Sequence, residues 1–203
     1  MLKPTSGGKY MSDWETKWKG LIWVSQQSEQ PNGAVFEKVS RSPGIRLIFI
    51  RDGKVLLSRE SRNELDGKVD HRLPGGKVFD TNEEYQKFLG SNIDILDASR
   101  LSATKEALEE VGIIVDPSRL EYLYTDILGA TCTWDLLYWA CEDFSYHDTG
   151  AQFHETEADE IRGAVWVPIP EACSMVLDKE QFSESRSAIA LLTVARNKGY
   201  IKI

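Results

Sequence analysis

Cysteine and histidine are both scarce in this sequence, three of each among 203 residues. Cys132, Cys141 and Cys173 form no CxxC pair, and an odd number closes no disulfide framework. That usage suits a reducing compartment, so a cytoplasmic protein is expected. His71, His147 and His154 show no HExxH spacing, which argues against zinc. Long apolar runs are also missing. Nothing approaches the roughly 20 residues of a membrane-spanning helix, and MLKPTSGGKYMSDWETKW carries no secretory hydrophobic region. No internal repeat or low-complexity tract appears. Positive charge is in deficit, with 24 Lys and Arg against 32 Asp and Glu and a net charge of −8. Phosphate backbones are bound by basic surface, so a nucleic-acid polymer is excluded as the main partner. A small phosphorylated ligand stays open, because metal ions can supply the positive charge.

What is present is ordinary globular composition, 41% hydrophobic and 28% charged, in a length that suits one embellished domain with a real core. The first dozen residues are small and polar, and no regular structure is expected there. GLIWVSQQ and GAVFEKVSR, on either side of a turn-rich SEQPNG, read as a hairpin. GIRLIFI and KVLLSRES, joined at Asp52-Gly53, read as a second hairpin. Residues 61–83 are loop-rich, with a short strand near VDHRL. A weak helix is expected over 84–96, interrupted at Gly90, and a good one over 98–111, stopped by Gly112. Two long strands follow, LEYLYTDILG and TCTWDLLYWACED, then a polar and acidic loop over 144–160. The strand AVWVPI, the helix PEACSMVL and an amphipathic helix from Ser183 to Asn197 close the chain. The fold class expected is α+β, a mixed sheet with helices on both faces.

The stretch Lys105-Glu106-Ala107-Leu108-Glu109-Glu110-Val111-Gly112 carries the chemistry. At ~100° per residue Glu106, Glu109 and Glu110 share an arc of about 100°. Leu101, Thr104, Ala107, Leu108 and Val111 lie opposite, a mainly apolar stripe expected to face the core. Three gathered carboxylates repel one another, and a hard divalent cation relieves that repulsion. A solvated face with a Lys105–Glu109 pair is the alternative.

KEALEEVGI resembles the second half of the Nudix box: glycine, five residues, glutamate, seven residues, then Arg-Glu-apolar-any-Glu-Glu-any-Gly-apolar. Glu106, Glu109, Glu110 and Gly112 stand at matching positions. RLPGGKV resembles the strand and glycine turn that lead into the box, with Gly76 as its first glycine and Gly75 beside it. Three departures stand out. Lys105 replaces the box arginine and loses its planar fork. Asn82 falls where the first glutamate belongs, and Asp97 is an acidic alternative. Residues 83–104, 22 in all, lie where the pattern has seven, which reads as an insertion at about 83–97. Sequence on both sides is similar to that of ADP-ribose pyrophosphatases and other nucleotide-sugar diphosphatases, over roughly residues 34 to 195.

The resemblance implies an α/β/α sandwich with a mixed central sheet and an added N-terminal β-hairpin. Residues 1–43 would be an extension making dimer or substrate contacts, and 44–203 the hydrolase domain. It implies hydrolysis of the diphosphate in ADP-ribose or another nucleotide sugar, with Mg²⁺ or Mn²⁺ on Glu106, Glu109 and Glu110. A homodimer is expected on the same ground. The general base would come from the helix or from Glu155, Glu157 or Glu160, with Glu157 favoured for its place before the next strand. Arg41, Arg59 and Arg62 are expected phosphate clamps, and Gly75 and Gly76 substrate-binding backbone. Trp14, Trp18 and Trp23 would stack on a base, close a dimer or pack internally. Diphosphatases for dinucleotides, coenzyme A or nucleoside triphosphates, and a catalytically silent nucleotide-binding module, are the alternatives.

Overall fold

The computed structural model describes residues 14–61, 66–152 and 161–202. The expectation for the first dozen residues therefore lies outside the described residues. At the N-terminal side β1 (Glu15–Lys19), β2 (Val24–Glu29) and β3 (Val35–Ser40) form an antiparallel ladder. The β2–β3 hairpin is where the sequence placed it. β1, with its all-exposed ETKWK, has no apolar period to reveal it and exists through backbone pairing with β2.

The central sheet begins with β4 (Gly44–Arg51) and β5 (Lys54–Ser61), closed by a two-residue turn in which Asp52 and Gly53 have φ of 52° and 70°. Positive φ at both central residues gives the twist a hairpin needs, and Asp-Gly tolerates it. β6 (Val69–Arg72) pairs with β5. α1 (Asn82–Leu89) starts at a capping box between Thr81 and Glu84 and stops at Gly90. α2 (Ile95–Val111), capped by Asp94, begins one turn before the expected helix and ends where Gly112 adopts φ 65°, as the sequence predicts. β7 (Ile113–Ile114), a 3-10 turn over Pro117–Arg119 and β8 (Glu121–Asp126) follow.

The single strand expected over TCTWDLLYWACED is two. β9 (Cys132–Thr133) runs parallel to β3, and β10 (Leu136–Cys141) runs parallel to β4. Both chains step together from one sheet to the other, because Pro43 donates no ladder hydrogen bond at the same level. The loop over 144–160 contains β11 (Ser145–Tyr146), paired with β7; residues 153–160 lie outside the described set. β12 (Ile161–Pro168), α3 (Ile169–Met175) and α4 (Ser185–Asn197) complete the chain.

The central sheet has the order β12-β5-β4-β10-β8, with β4 and β10 parallel and the other neighbours antiparallel. Along β4 and β10 successive side chains alternate between two cores. Ile45, Leu47, Phe49, Leu137 and Trp139 face α2, whereas Ile48, Ile50, Leu136 and Tyr138 face α3 and α4. Burial on both faces is why these strands read as continuous apolar runs. The architecture is an α/β/α sandwich with a mixed sheet, as expected. No helix among the described residues is long and apolar enough to cross a membrane.

Candidate active site

Between β5 and β10, β4 has an unusual partner. β5 pairs with it only near the hairpin turn, and the segment Pro74-Gly75-Gly76 takes over farther along. Leu47 N–H donates to Pro74 O at 2.8 Å, and Ile45 N–H to Gly76 O at 2.9 Å. Gly75 sits at φ 144°, and a Cβ there would lie 2.3 Å from Ile45 O. A Cβ on Gly76 would lie 2.4 Å from the Glu106 carboxyl carbon. A side chain at Gly75 would meet backbone that cannot move, whereas one at Gly76 would displace the end of the Glu106 side chain.

The helix wheel drawn from the sequence needs correction. Of the stripe expected to face the core, α2 fully buries only Ala107; Val111 packs partly against the core, Thr104 and Leu108 are half-buried, and two of the glutamates turn inward. Its buried residues are Ser99, Ala103, Glu106, Ala107 and Glu110, whereas Leu101 is 65% exposed. Small side chains at Ser99, Ala103 and Ala107 let the helix approach the sheet closely. Glu106 and Glu110 lie on that same side and reach the glycine turn. Burial of the Glu110 carboxylate is offset by a donor there. Gly75 N–H donates to Glu110 Oε2 at 2.7 Å.

Burial and the nearby charges of Glu60 and Glu106 raise the Glu110 pKa well above its ordinary value, against opposing contributions from Gly75 N–H and Arg46. Glu109 is partly buried and pairs with Lys105 at 3.6 Å. Lys105 also reaches Asp80 in the preceding loop at 3.5 Å. Burial lowers the Lys105 pKa, but Asp80, Glu109 and Glu106 outweigh it and the net shift is upward. Asn82, at the position of the first box glutamate, is turned away from this site: its amide donates to Gly20 O at 3.1 Å and its N–H to Leu21 O at 3.3 Å.

Four charged residues behind the glycine turn were not singled out from the sequence. Arg46 is buried and grips Glu184 with Nε at 2.9 Å and Nη2 at 3.2 Å, while Nη1 donates to Gly75 O at 3.1 Å and Ile45 O at 3.2 Å. Burial raises the Glu184 carboxyl, but the Arg46 charge and hydrogen bonds and the Ser187 hydroxyl reverse this and bring it to about 2. Glu60 lies near Arg72, 3.8 Å away, and accepts from Ser58 at 3.0 Å. The available signal was a charge inside an apolar strand, Arg46 in GIRLIFI and Glu60 in KVLLSRES.

Of the expected site residues, the structure brings together Glu106, Glu110, Gly75 and Gly76, with Glu109 alongside. The Arg41 guanidinium lies 5.2 Å from the Trp23 ring and 4.7 Å from that of Trp134. Arg59 is exposed and alternates to the opposite side of β5 from Ser58 and Glu60. Trp14 lies under Lys38 at 4.2 Å, Trp23 packs edge-on to Trp134, and Trp18 is 58% exposed. Arg62, Glu155, Glu157 and Glu160 lie outside the described residues. Gln152, which leads toward the three glutamates, donates its N–H to Glu109 O at 2.9 Å.

No family model and no curated protein matches this chain. Solved structures do. The chain is similar to a crystal structure of an ADP compounds hydrolase with a TM-score of 0.65 and 18% identity, covering 93% of this chain and 95% of that one. A MutT Nudix hydrolase from Burkholderia pseudomallei aligns over 64% of this chain and 84% of its own at 20% identity, with a TM-score of 0.43 that adds no argument. At such identities the likeness is one of fold, and the fold is Nudix-like.

Proposed function

We propose that this chain is a metal-dependent pyrophosphohydrolase that cuts the diphosphate linkage of a nucleoside diphosphate joined to a small group, ADP-ribose or another nucleotide sugar. One observation carries the reading. Glu106 and Glu110 are buried on the sheet-facing side of α2, against a glycine turn, in a Nudix-like fold. Buried like charges at a structural helix are unfavourable, and the raised proton affinity of Glu110 expresses that. Such a set suits a hard divalent cation in charge and in donor type. Among the described residues no three Asp, Glu, His or Cys form a ready metal centre, which leaves substrate phosphates to complete it.

Glu106, Glu109 and Glu110 would hold Mg²⁺ or Mn²⁺, and the bound cation would supply a more acidic water and neutralise phosphate charge. Gly75 N–H fixes the Glu110 carboxylate. Arg46, by gripping Gly75 O, fixes the turn that carries that donor. Water oxygen attacks one phosphorus, the bridging P–O bond breaks, and the other phosphate departs with the electron pair. Glu157 takes the water proton, a role that contributes about 10²–10⁴-fold in such reactions. Gln152 bonded to Glu109 O places the start of its loop beside α2. Arg41, Arg59 and Arg62 are the candidate cationic contacts to substrate.

Exposed Trp18, Val35 and Phe36 on the N-terminal strands favour a homodimer through that sheet. The free thiols of Cys132, Cys141 and Cys173 fit a reducing cytoplasm. The test is a panel of ADP-ribose, UDP-glucose, coenzyme A, diadenosine polyphosphate and dGTP with Mg²⁺ or Mn²⁺. The expected result is cleavage of ADP-ribose or UDP-glucose, abolished by EDTA. Nucleotide binding with no turnover would replace this reading with a silent binding module, for which the diversion of Asn82 to Gly20 is the favouring observation.

A further inference from the structure

The segment between the glycine turn and α2 adds a feature of its own. α1 stands off the flank of α2, and the space between them and residues 77–80 is an open cleft of about 370 Å³. Its lining includes Lys77, Phe79, Asp80, Lys87, Ser102 and Lys105. Lys77, Lys87 and Lys105 against Asp80 and Glu84 give this lining a charge of +1 in a chain of net charge −8. Two of the lysines share their charge with nearby carboxylates, and the third does not. Glu84 accepts the Thr81 N–H in the capping box. Lys87 pairs with Glu83 at 3.1 Å, but both side chains are over 70% exposed, where such a pair contributes little. Asp80, 59% exposed, is the partner of Lys105. Lys77 has no carboxylate partner among the described residues.

The floor is ordered. Ser102 hydroxyl reaches Lys77 O at 3.2 Å and Val78 O at 3.1 Å, tying the glycine-turn strand to α2. Phe79 is braced by Phe88 at 4.7 Å and Tyr85 at 5.7 Å. The cleft also adjoins the carboxylates: Lys77 follows Gly76, which touches Glu106, and Lys105 touches Glu109. Its volume lies in the range of small-molecule subsites.

We propose that this cleft binds a phosphate monoester carried on the substrate outside the scissile diphosphate, so that the preferred substrates are phosphorylated nucleoside diphosphate compounds. The choice of a monoester follows from charge. A phosphate monoester carries nearly two negative charges at neutral pH, and ammonium groups meet it as point charges. This rests on the hydrolase reading above, and the experiment separates the two.

The measurement compares kcat/KM for ADP-ribose, for ADP-ribose phosphorylated on the distal ribose, and for ADP-ribose phosphorylated on the adenosine ribose. The expected result is a preference of about tenfold for one phosphorylated compound, which also identifies the end that enters the cleft. That ratio should fall to within about twofold of unity in Lys77→Ala and Lys87→Ala, and shrink as salt rises from about 0.05 to 0.5 M. Equal kcat/KM for all three compounds in the wild type, or a preference that neither substitution alters, overturns the proposal. In parallel, inorganic phosphate is titrated into EDTA-treated protein by ³¹P NMR. Broadening that Lys87→Ala relieves supports the cleft. If no compound is hydrolysed the hydrolase reading fails, and the titration decides the cleft alone: no metal-free phosphate binding overturns it.

Discussion

Replacing Glu184 by glutamine tests whether the charge pair behind the glycine turn holds it in place. Glu184 and Arg46 have side chains only 11% and 7% exposed, with Nε–Oε2 at 2.9 Å. The glutamine keeps the shape and the Ser187 contact while removing the charge that compensates a buried guanidinium. The carboxyl falls from an ordinary 4.5 to about 2 in the native state, which corresponds to about 3 kcal/mol of stabilisation at neutral pH. This lies in the range of about 3–5 kcal/mol for breaking a buried pair from one side. The sign follows from the lowered native value: the stabilisation is complete above about pH 5 and is lost as pH falls toward 2. At pH 3 about 1.4 kcal/mol remains, because the unfolded carboxyl is protonated and the native one is still largely ionised. Denaturant unfolding of wild type and Glu184→Gln at pH 7 and pH 3 reads both numbers. A destabilisation equal at the two pH values, or below about 1 kcal/mol at pH 7, would refute the argument.

Glu110→Gln should abolish metal-dependent turnover while leaving stability at pH 8 equal to or above wild type. The raised native pKa means the ionised carboxyl opposes folding as pH rises above 4.5, and the substitution removes that slope; a large loss of stability at pH 8 would contradict it. Gly75→Ala should lower stability by at least about 1–3 kcal/mol, since its Cβ meets backbone and its φ is positive. Gly76→Ala should instead spare the fold and weaken Mn²⁺ affinity, since the atoms nearest its Cβ belong to the Glu106 carboxylate at the end of a side chain; calorimetry of both variants separates the effects. Asn82→Ala strips the hydrogen bond to Gly20 O, and should cost about 1–2 kcal/mol, with faster amide exchange in the β2 strand as its signature.

Much of the scaffold was legible because its cues are local. Asp52-Gly53 and Gly112 each required a backbone conformation that few other residues adopt, so a turn and a helix end could be placed from single positions. The apolar runs of β4 and β10 announced burial on both faces. The glutamate spacing in α2 and LPGG marked a helix and a turn that the structure sets against each other.

The orientation of α2 was misjudged for a physical reason. Periodicity weighs side chains by polarity, but here small size and available donors decided which face turned inward. Leu101 is left in solvent, while Glu106 and Glu110 are buried against glycines that sit 30 or more positions earlier. Asp80 as the partner of Lys105, the diversion of Asn82 to Gly20, and the Arg46–Glu184 pair 138 residues apart belong to the same class. The sequence by itself determined where the chain turns, which segments are buried and which carboxylates share a helix. Only tertiary structure decided which of those carboxylates lose their water and what faces them, because desolvation and long-range charge depend on neighbours that no local pattern encodes.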